Sequence, residues 1–227
     1  MPTSSPDRAG FLAATSAEIK SLRDMETWDP AEELSPEQMI TSGIGMSRCV
    51  FTKKYHPDGS FDKYKCRIVF RGDRWYDLYC NKTYAGCVMS ETVRLMLSVA
   101  TAEDMEVASL DVKTAFLYGL IPITQFIYMR RPAGLTDADM PAIIRLQKCI
   151  YGLPHAPATF RQHNDATLRS FGFTPTVNDP RLYVRLLADG TKAFVAVHVD
   201  DFVMAASNGA EGGDDGGYTD CIQLCGR

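Results

Sequence analysis

The run Ala196-Val197-His198-Val199-Asp200-Asp201-Phe202-Val203-Met204-Ala205-Ala206 constrains this chain more than any other stretch. Two adjacent carboxylates interrupt a nearly continuous apolar sequence. The flanks, FVAVHV and FVMAA, have the pattern of strands buried on both faces. A tight turn between two such strands holds its side chains at a fixed place on a sheet. Asp is a common turn residue, and a solvated hairpin tip is the ordinary reading of such a pair. Between buried strands, however, two like charges repel each other unless a cation neutralises them. A hard divalent ion with oxygen ligands is the natural partner, and Mg²⁺ is the usual one where phosphate is also present.

A second carboxylate stands in a similar position. Asp111 ends the apolar run 106–110 and precedes a turn into the segment 113–117, which is predicted to start a helix. Alone it would read as a helix cap. Together with Asp200 and Asp201 it makes a set able to hold two metal ions, the arrangement that activates an attacking oxygen and stabilises a leaving one in phosphoryl transfer.

Charge is distributed unevenly along the 227 residues, whose net charge is −4. Residues 1–47 carry eight acids and three bases, whereas residues 48–74 carry eight bases and three acids. Those bases lie on and beside two strand-like runs, 49–55 and 64–70, joined by His56-Pro57-Asp58-Gly59-Ser60. Asp-Gly in a short linker predicts a hairpin. Lys65, Arg67 and Arg71 alternate along the second strand and so share a face. A basic ribbon in an acidic chain suits a phosphate-bearing ligand, although a solvated hairpin face would look the same from charge alone.

Elsewhere the spacing of Ile19, Leu22 and Met25 predicts a helix over 14–27, and residues 29–47 read as a loop. A helix over 90–102 is expected with Val93, Met96, Leu97 and Ala100 on its apolar face and Ser90 as its cap. Strands are predicted at 125–130, 143–146, 182–187, 192–199 and 202–206, and a helix at 155–171 closed by Gly172. This order predicts an α+β domain with helices against an antiparallel sheet. The seven cysteines are scattered singly without a CxxC pair, so neither a disulfide framework nor a zinc knuckle is indicated, and a reducing intracellular compartment is the default. No apolar run has the length of a membrane span.

Five segments occur in order: Tyr64-Lys65-Cys66-Arg67-Ile68-Val69-Phe70-Arg71-Gly72, Leu110-Asp111-Val112-Lys113-Thr114-Ala115-Phe116-Leu117, Ile127-Tyr128-Met129-Arg130-Arg131-Pro132-Ala133-Gly134-Leu135, Ile150-Tyr151-Gly152-Leu153-Pro154-His155-Ala156-Pro157, and Val197-His198-Val199-Asp200-Asp201. Together they resemble the reverse transcriptase of copia-type retrotransposons, encoded in a Pol polyprotein. The resemblance implies a right-hand polymerase with fingers and palm over 45–207, preceded by an N-terminal helix and loop at 1–44. It implies RNA-directed DNA synthesis from dNTPs on a primed RNA or DNA template. Asp111, Asp200 and Asp201 would be the catalytic metal ligands, joined by the backbone of Val112, with two Mg²⁺ or Mn²⁺ ions as cofactors. Lys65, Arg67, Ala115, Phe116 and Tyr151 would meet the nucleotide, with Phe116 beneath its sugar. Arg71, Gly152, Ala156 and Pro157 would meet the template-primer. The family's cytoplasmic particles and nuclear integration imply both compartments.

Departures from the family pattern are His198 where Tyr is usual, and Pro154-His155 where Lys-Gln is common. The resemblance also leads one to expect more palm, a thumb and a ribonuclease H domain after the aspartate hairpin. The stretch 208–227, containing GAEGGDDGG, has the composition of a disordered linker and cannot build a thumb. An inactive truncated relic that at most binds nucleic acid or metal is therefore the alternative to an active polymerase fragment. A metal-dependent phosphohydrolase sharing the same carboxylates is a third reading, which the ordered segments disfavour.

Overall fold

The computed structural model describes residues 6–30, 43–75, 83–186 and 190–207. The expected tail 208–227 lies outside the described residues. The chain is mixed α/β and divides into two compact units, residues 1–83 with 116–160 and residues 84–115 with 161–227.

In the first unit, α1 (Arg8–Asp24) buries Thr15, Ile19 and Leu22 along one side. The helix begins earlier than the apolar spacing over 14–27 predicts. Its first turns are anchored by Phe11, which packs edge-on against Phe51 and Tyr64. Most of β1 (Trp28–Pro30) and all of β2 (Ile44–Gly45) fall within the stretch expected to be a loop; their sheet partners lie far away in sequence. β3 (Ser47–Tyr55) and β4 (Phe61–Phe70) form the expected hairpin, in register from Ser47↔Phe70 to Tyr55↔Phe61 with an irregularity at Lys54/Tyr55. On β4, Cys66, Ile68 and Phe70 are buried and alternate with Lys65, Arg67 and Val69, so the basic face and the packed face are opposite. α1 covers the packed face, where Glu18 accepts the Ile68 N–H at 3.1 Å.

β6 (Tyr128–Arg130) and β7 (Ile143–Leu146) complete a four-stranded sheet in the order β1-β7-β6-β2, after β5 has passed through the second unit. β6 is shorter than the strand expected over 125–130, because Gln125 closes a turn onto Pro122. Gly152 (φ +88°) lies against the end of β4: a Cβ there would meet the Phe70 carbonyl oxygen at 2.0 Å. Only glycine allows that approach.

In the second unit, α2 (Ser90–Ala102) has the expected bounds, but its cap differs. Met89 is the N-cap residue and Ser90 makes no capping bond. The function passes to Asp179, which accepts the Met89 N–H at 2.9 Å and the Arg181 N–H at 3.0 Å. Leu97 is exposed, while Met96 and Ala100 face the sheet. β5 (Glu106–Asp111), β8 (Thr174–Pro175), β9 (Leu182–Leu186), β10 (Lys192–His198) and β11 (Asp201–Ala206) form an antiparallel sheet in the order β5-β11-β10-β9-β8. α3 (Ala156–Ser170) ends at Gly172 in the left-handed conformation, as expected.

Both faces of β10 and β11 are covered. On one, Met96 and Ala100 of α2 meet Phe194, Ala196, Val203 and Ala205. On the other, Val195, Val197, Phe202 and Met204 are buried, and Tyr183 donates to Asp165 of α3 at 3.0 Å. The apolar runs on either side of the aspartates are the two central strands of this packing.

Candidate active site

The carboxylates meet at one end of the five-stranded sheet. Asp201, the first residue of β11, stands directly opposite Asp111, the last of β5. On its other side it stands opposite His198 of β10. Cross-strand partners share a sheet face, so His198, Asp201 and Asp111 form one row across three strands. Asp200 lies in the two-residue turn, and its carbonyl accepts the Val112 N–H at 3.0 Å. That bond draws the chain after Asp111 against the hairpin tip. The backbone of Val112 is therefore committed within the protein by its N–H, while its carbonyl is the group that could face an ion.

Two β-branched residues beside these carboxylates have left-handed backbones: Val199 at φ 57° and Thr114 at φ 54°. Such conformations cost energy for β-branched side chains and persist where surrounding structure enforces them, commonly at functional sites. For Val199 the cause is the turn. A two-residue link between right-twisted strands favours a positive φ at its first position, which glycine ordinarily fills.

Asp111 and Asp201 are exposed and Asp200 is partly so. None of the three makes a side-chain hydrogen bond or ion pair among the described residues. Among those residues, no three His, Cys, Asp or Glu side chains converge closely enough to hold a metal ion as placed. The main chain gathers the aspartates; their oxygens are not drawn to one point. The donor set fits a hard divalent cation on chemistry, because all ligands are carboxylate or carbonyl oxygens. Two directly opposed carboxylates also gain from one, since like charges across a strand pair are destabilising.

Within the first unit, three of the expected nucleotide-site residues stack in a line. The Arg67 guanidinium lies 5.1 Å from the centre of the Tyr151 ring. Tyr151 packs edge-on to Phe116 at 4.7 Å, and Phe116 packs edge-on to Phe160 at 6.0 Å. Phe116 is 9% exposed, on a short 3₁₀ turn over Ala115–Tyr118, where the segment 113–117 was expected to begin a helix. Lys65 shares the face of Arg67 on β4 and is held below the usual lysine range by burial and by the neighbouring Arg67. Ala115, counted with the second unit, is fully buried.

Of the residues expected at the template-primer, Arg71 is turned to Asp73, with contacts of 2.7 and 3.2 Å, in an exposed chelate. Gly152 is an element of packing against β4 as well as an exposed position. Ala156 is buried and Pro157 is partly so, both in the first turn of α3, where a proline lacks only an N–H that would be unbonded anyway.

Asp179 is the residue of this unit that pattern reading passes over. Asn178-Asp179-Pro180 reads locally as a turn, and its partner at position 89 is ninety residues away. Burial works against its charge most strongly, but the Met89 and Arg181 N–H groups and the Thr92 hydroxyl hold its carboxyl below the usual range. Tyr183 is fully buried, and burial followed by the nearby Asp165 pushes its hydroxyl up to about 12.

The fold is thus mixed sheet and helix, with paired aspartates at a hairpin tip and the five segments in order along the chain. The chain belongs to the family described as reverse transcriptase (RNA-dependent DNA polymerase), whose pattern matches residues 32–214. It is similar to the retrovirus-related Pol polyprotein from transposon RE2 of Arabidopsis thaliana, 32% identical over 197 residues, 86% of this chain and 13% of that protein. The corresponding polyprotein from transposon TNT 1-94 of Nicotiana tabacum is 27% identical over 209 residues, covering 90% and 15%. The transposon TyH3 Gag-Pol polyprotein of Saccharomyces cerevisiae is 26% identical over 203 residues, covering 89% and 11%. The resemblance to the copia-type elements holds on these grounds. The chain spans about an eighth of the length of the relatives it matches. No described helix is long and apolar enough to cross a membrane.

Proposed function

We propose that this chain is the fingers and palm portion of an RNA-directed DNA polymerase, extending a primer 3′-hydroxyl with dNTPs on an RNA or DNA template. The observation that supports this most is the register Asp201↔Asp111 beside the Asp200–Val112 bond, in a chain of the reverse transcriptase family. In this reading residues 45–207 are the catalytic portion and residues 1–44 lead into it.

Asp111, Asp200 and Asp201, with the Val112 carbonyl, would hold Mg²⁺ or Mn²⁺, and two such ions supply activation of an attacking hydroxyl and stabilisation of a leaving pyrophosphate. Lys65 and Arg67 take the triphosphate, Arg67 through charge-assisted bonds from a guanidinium already steadied by Tyr151. The Ala115 backbone and the Phe116 ring set the sugar position, and the ring excludes a 2′-hydroxyl. Arg71, Gly152, Ala156 and Pro157 line the path of the template-primer; Arg71 must exchange Asp73 for a phosphate to do so.

Primer extension on poly(rA)/oligo(dT) tests the reading. Extension in Mg²⁺ or Mn²⁺, abolished by Asp200→Asn with folding intact, is expected. A folded protein that binds metal and primer-template but extends nothing would instead support the relic.

A further inference from the structure

Beneath α1, the β3–β4 hairpin carries two cysteines with no part in the chemistry above. Cys49 stands opposite Ile68 and Cys66 opposite Phe51, so the two are diagonal neighbours on one face of the ribbon. The right-handed twist of a two-stranded ribbon draws one diagonal together. Here the Cys49 thiol donates a hydrogen bond to the Cys66 sulfur. Cys66 is 3% exposed and Cys49 is partly exposed, so a small reagent reaches the pair from the Cys49 side.

From this geometry we propose that Cys49 and Cys66 form a redox-active dithiol, a modification site that a peroxide converts to a cross-strand disulfide. The two sulfurs have different roles. The hydrogen bond from Cys49 holds the Cys66 thiol below its usual range against the effect of burial. Cys66 is thus the more acidic of the two thiols and the one that loses its proton to attack, while Cys49 keeps its own. The Cys66 thiolate attacks one oxygen of hydrogen peroxide, the O–O bond breaks, and hydroxide leaves as the sulfenic acid forms. Cys49 then attacks the Cys66 sulfur, the S–O bond breaks, and the departing hydroxide takes the Cys49 proton. In total, two thiols and one peroxide give one disulfide and two waters.

Closure would tie the two strands at the position between Lys65 and Arg67 on the chain. The inference does not depend on the polymerase reading, because neither its geometry nor its test involves nucleotide.

The test uses the full chain treated with hydrogen peroxide in the presence of chelator, then alkylated without reduction and mapped by peptide mass. Loss of two hydrogens, with Cys49 and Cys66 linked and the linkage reversed by dithiothreitol, is expected. Closing a loop of this size should also raise the melting temperature by roughly 5 °C or more. Cys49→Ser and Cys66→Ser should each abolish that rise while keeping the circular dichroism spectrum of the reduced protein. Alkylation of both cysteines after peroxide would overturn the proposal. So would Cys66 recovered as sulfinic acid, or preferential linkage of either residue to another cysteine.

Discussion

Asp111 and Asp201 face each other across β5 and β11 with no charged partner among the described residues, and this pair has a measurable consequence apart from activity. Opposed like charges on a strand pair cost about 0.2–1 kcal/mol. Asp201→Asn should therefore raise the thermal stability of the protein in chelator by a fraction of a kcal/mol, and should reduce its stabilisation by added Mg²⁺. Scanning calorimetry with and without the ion checks both; equal Mg²⁺ stabilisation of wild type and variant would remove Asp201 from the ligand set. Phe116 makes a second case. Phe116→Val should admit rNTPs, with discrimination measured as the ratio of kcat/KM for dTTP over UTP. If the ring only packs against Tyr151 and Phe160, the variant loses stability while that ratio stays unchanged. The residue types were legible from the chain: paired carboxylates in an apolar run and alternating bases on a strand both have periodic signatures. The alignment of Arg67 with Tyr151 was not, because it joins positions 84 apart that share no pattern.

α2, an element whose bounds were read correctly, begins on a cap supplied by another part of the chain. Asp179→Ala removes the acceptor for the Met89 and Arg181 N–H groups and should destabilise the protein by about 1–3 kcal/mol, read by urea denaturation. Its pH dependence has a defined sign. The folded-state carboxyl is depressed, so its contribution is complete above the unfolded value near 4 and is lost as pH falls through the lower folded value. The variant should lack this part of the acid destabilisation. Gly152 gives a second test on the β4 junction. Gly152→Ala demands a strained φ and a Cβ inside the Phe70 carbonyl, and should cost about 2 kcal/mol or more. Strands 143–146 and 192–198 and the hairpin of β3 and β4 were legible because their patterns are local. β1 and β2 were not, since two or three residues become strand only when a distant partner supplies the ladder.

The whole chain is acidic, with a local excess of bases over residues 48–74, so nucleic-acid affinity should depend steeply on salt. Primer-template binding by fluorescence anisotropy is expected to weaken markedly between about 50 and 200 mM salt, with a shallower slope for Arg71→Gln. An unchanged slope in that variant would move the phosphate contact elsewhere. The sequence alone determined the mixed α/β character, the hairpins, the order of motifs and hence the family, because periodicity and motif order are properties of neighbouring residues. Tertiary structure alone decided that Asp111 and Asp201 are cross-strand partners, that Asp179 caps α2, and that Cys49 lies beside Cys66. The first two are contacts between residues some ninety positions apart, and the third depends on the register and twist of the hairpin.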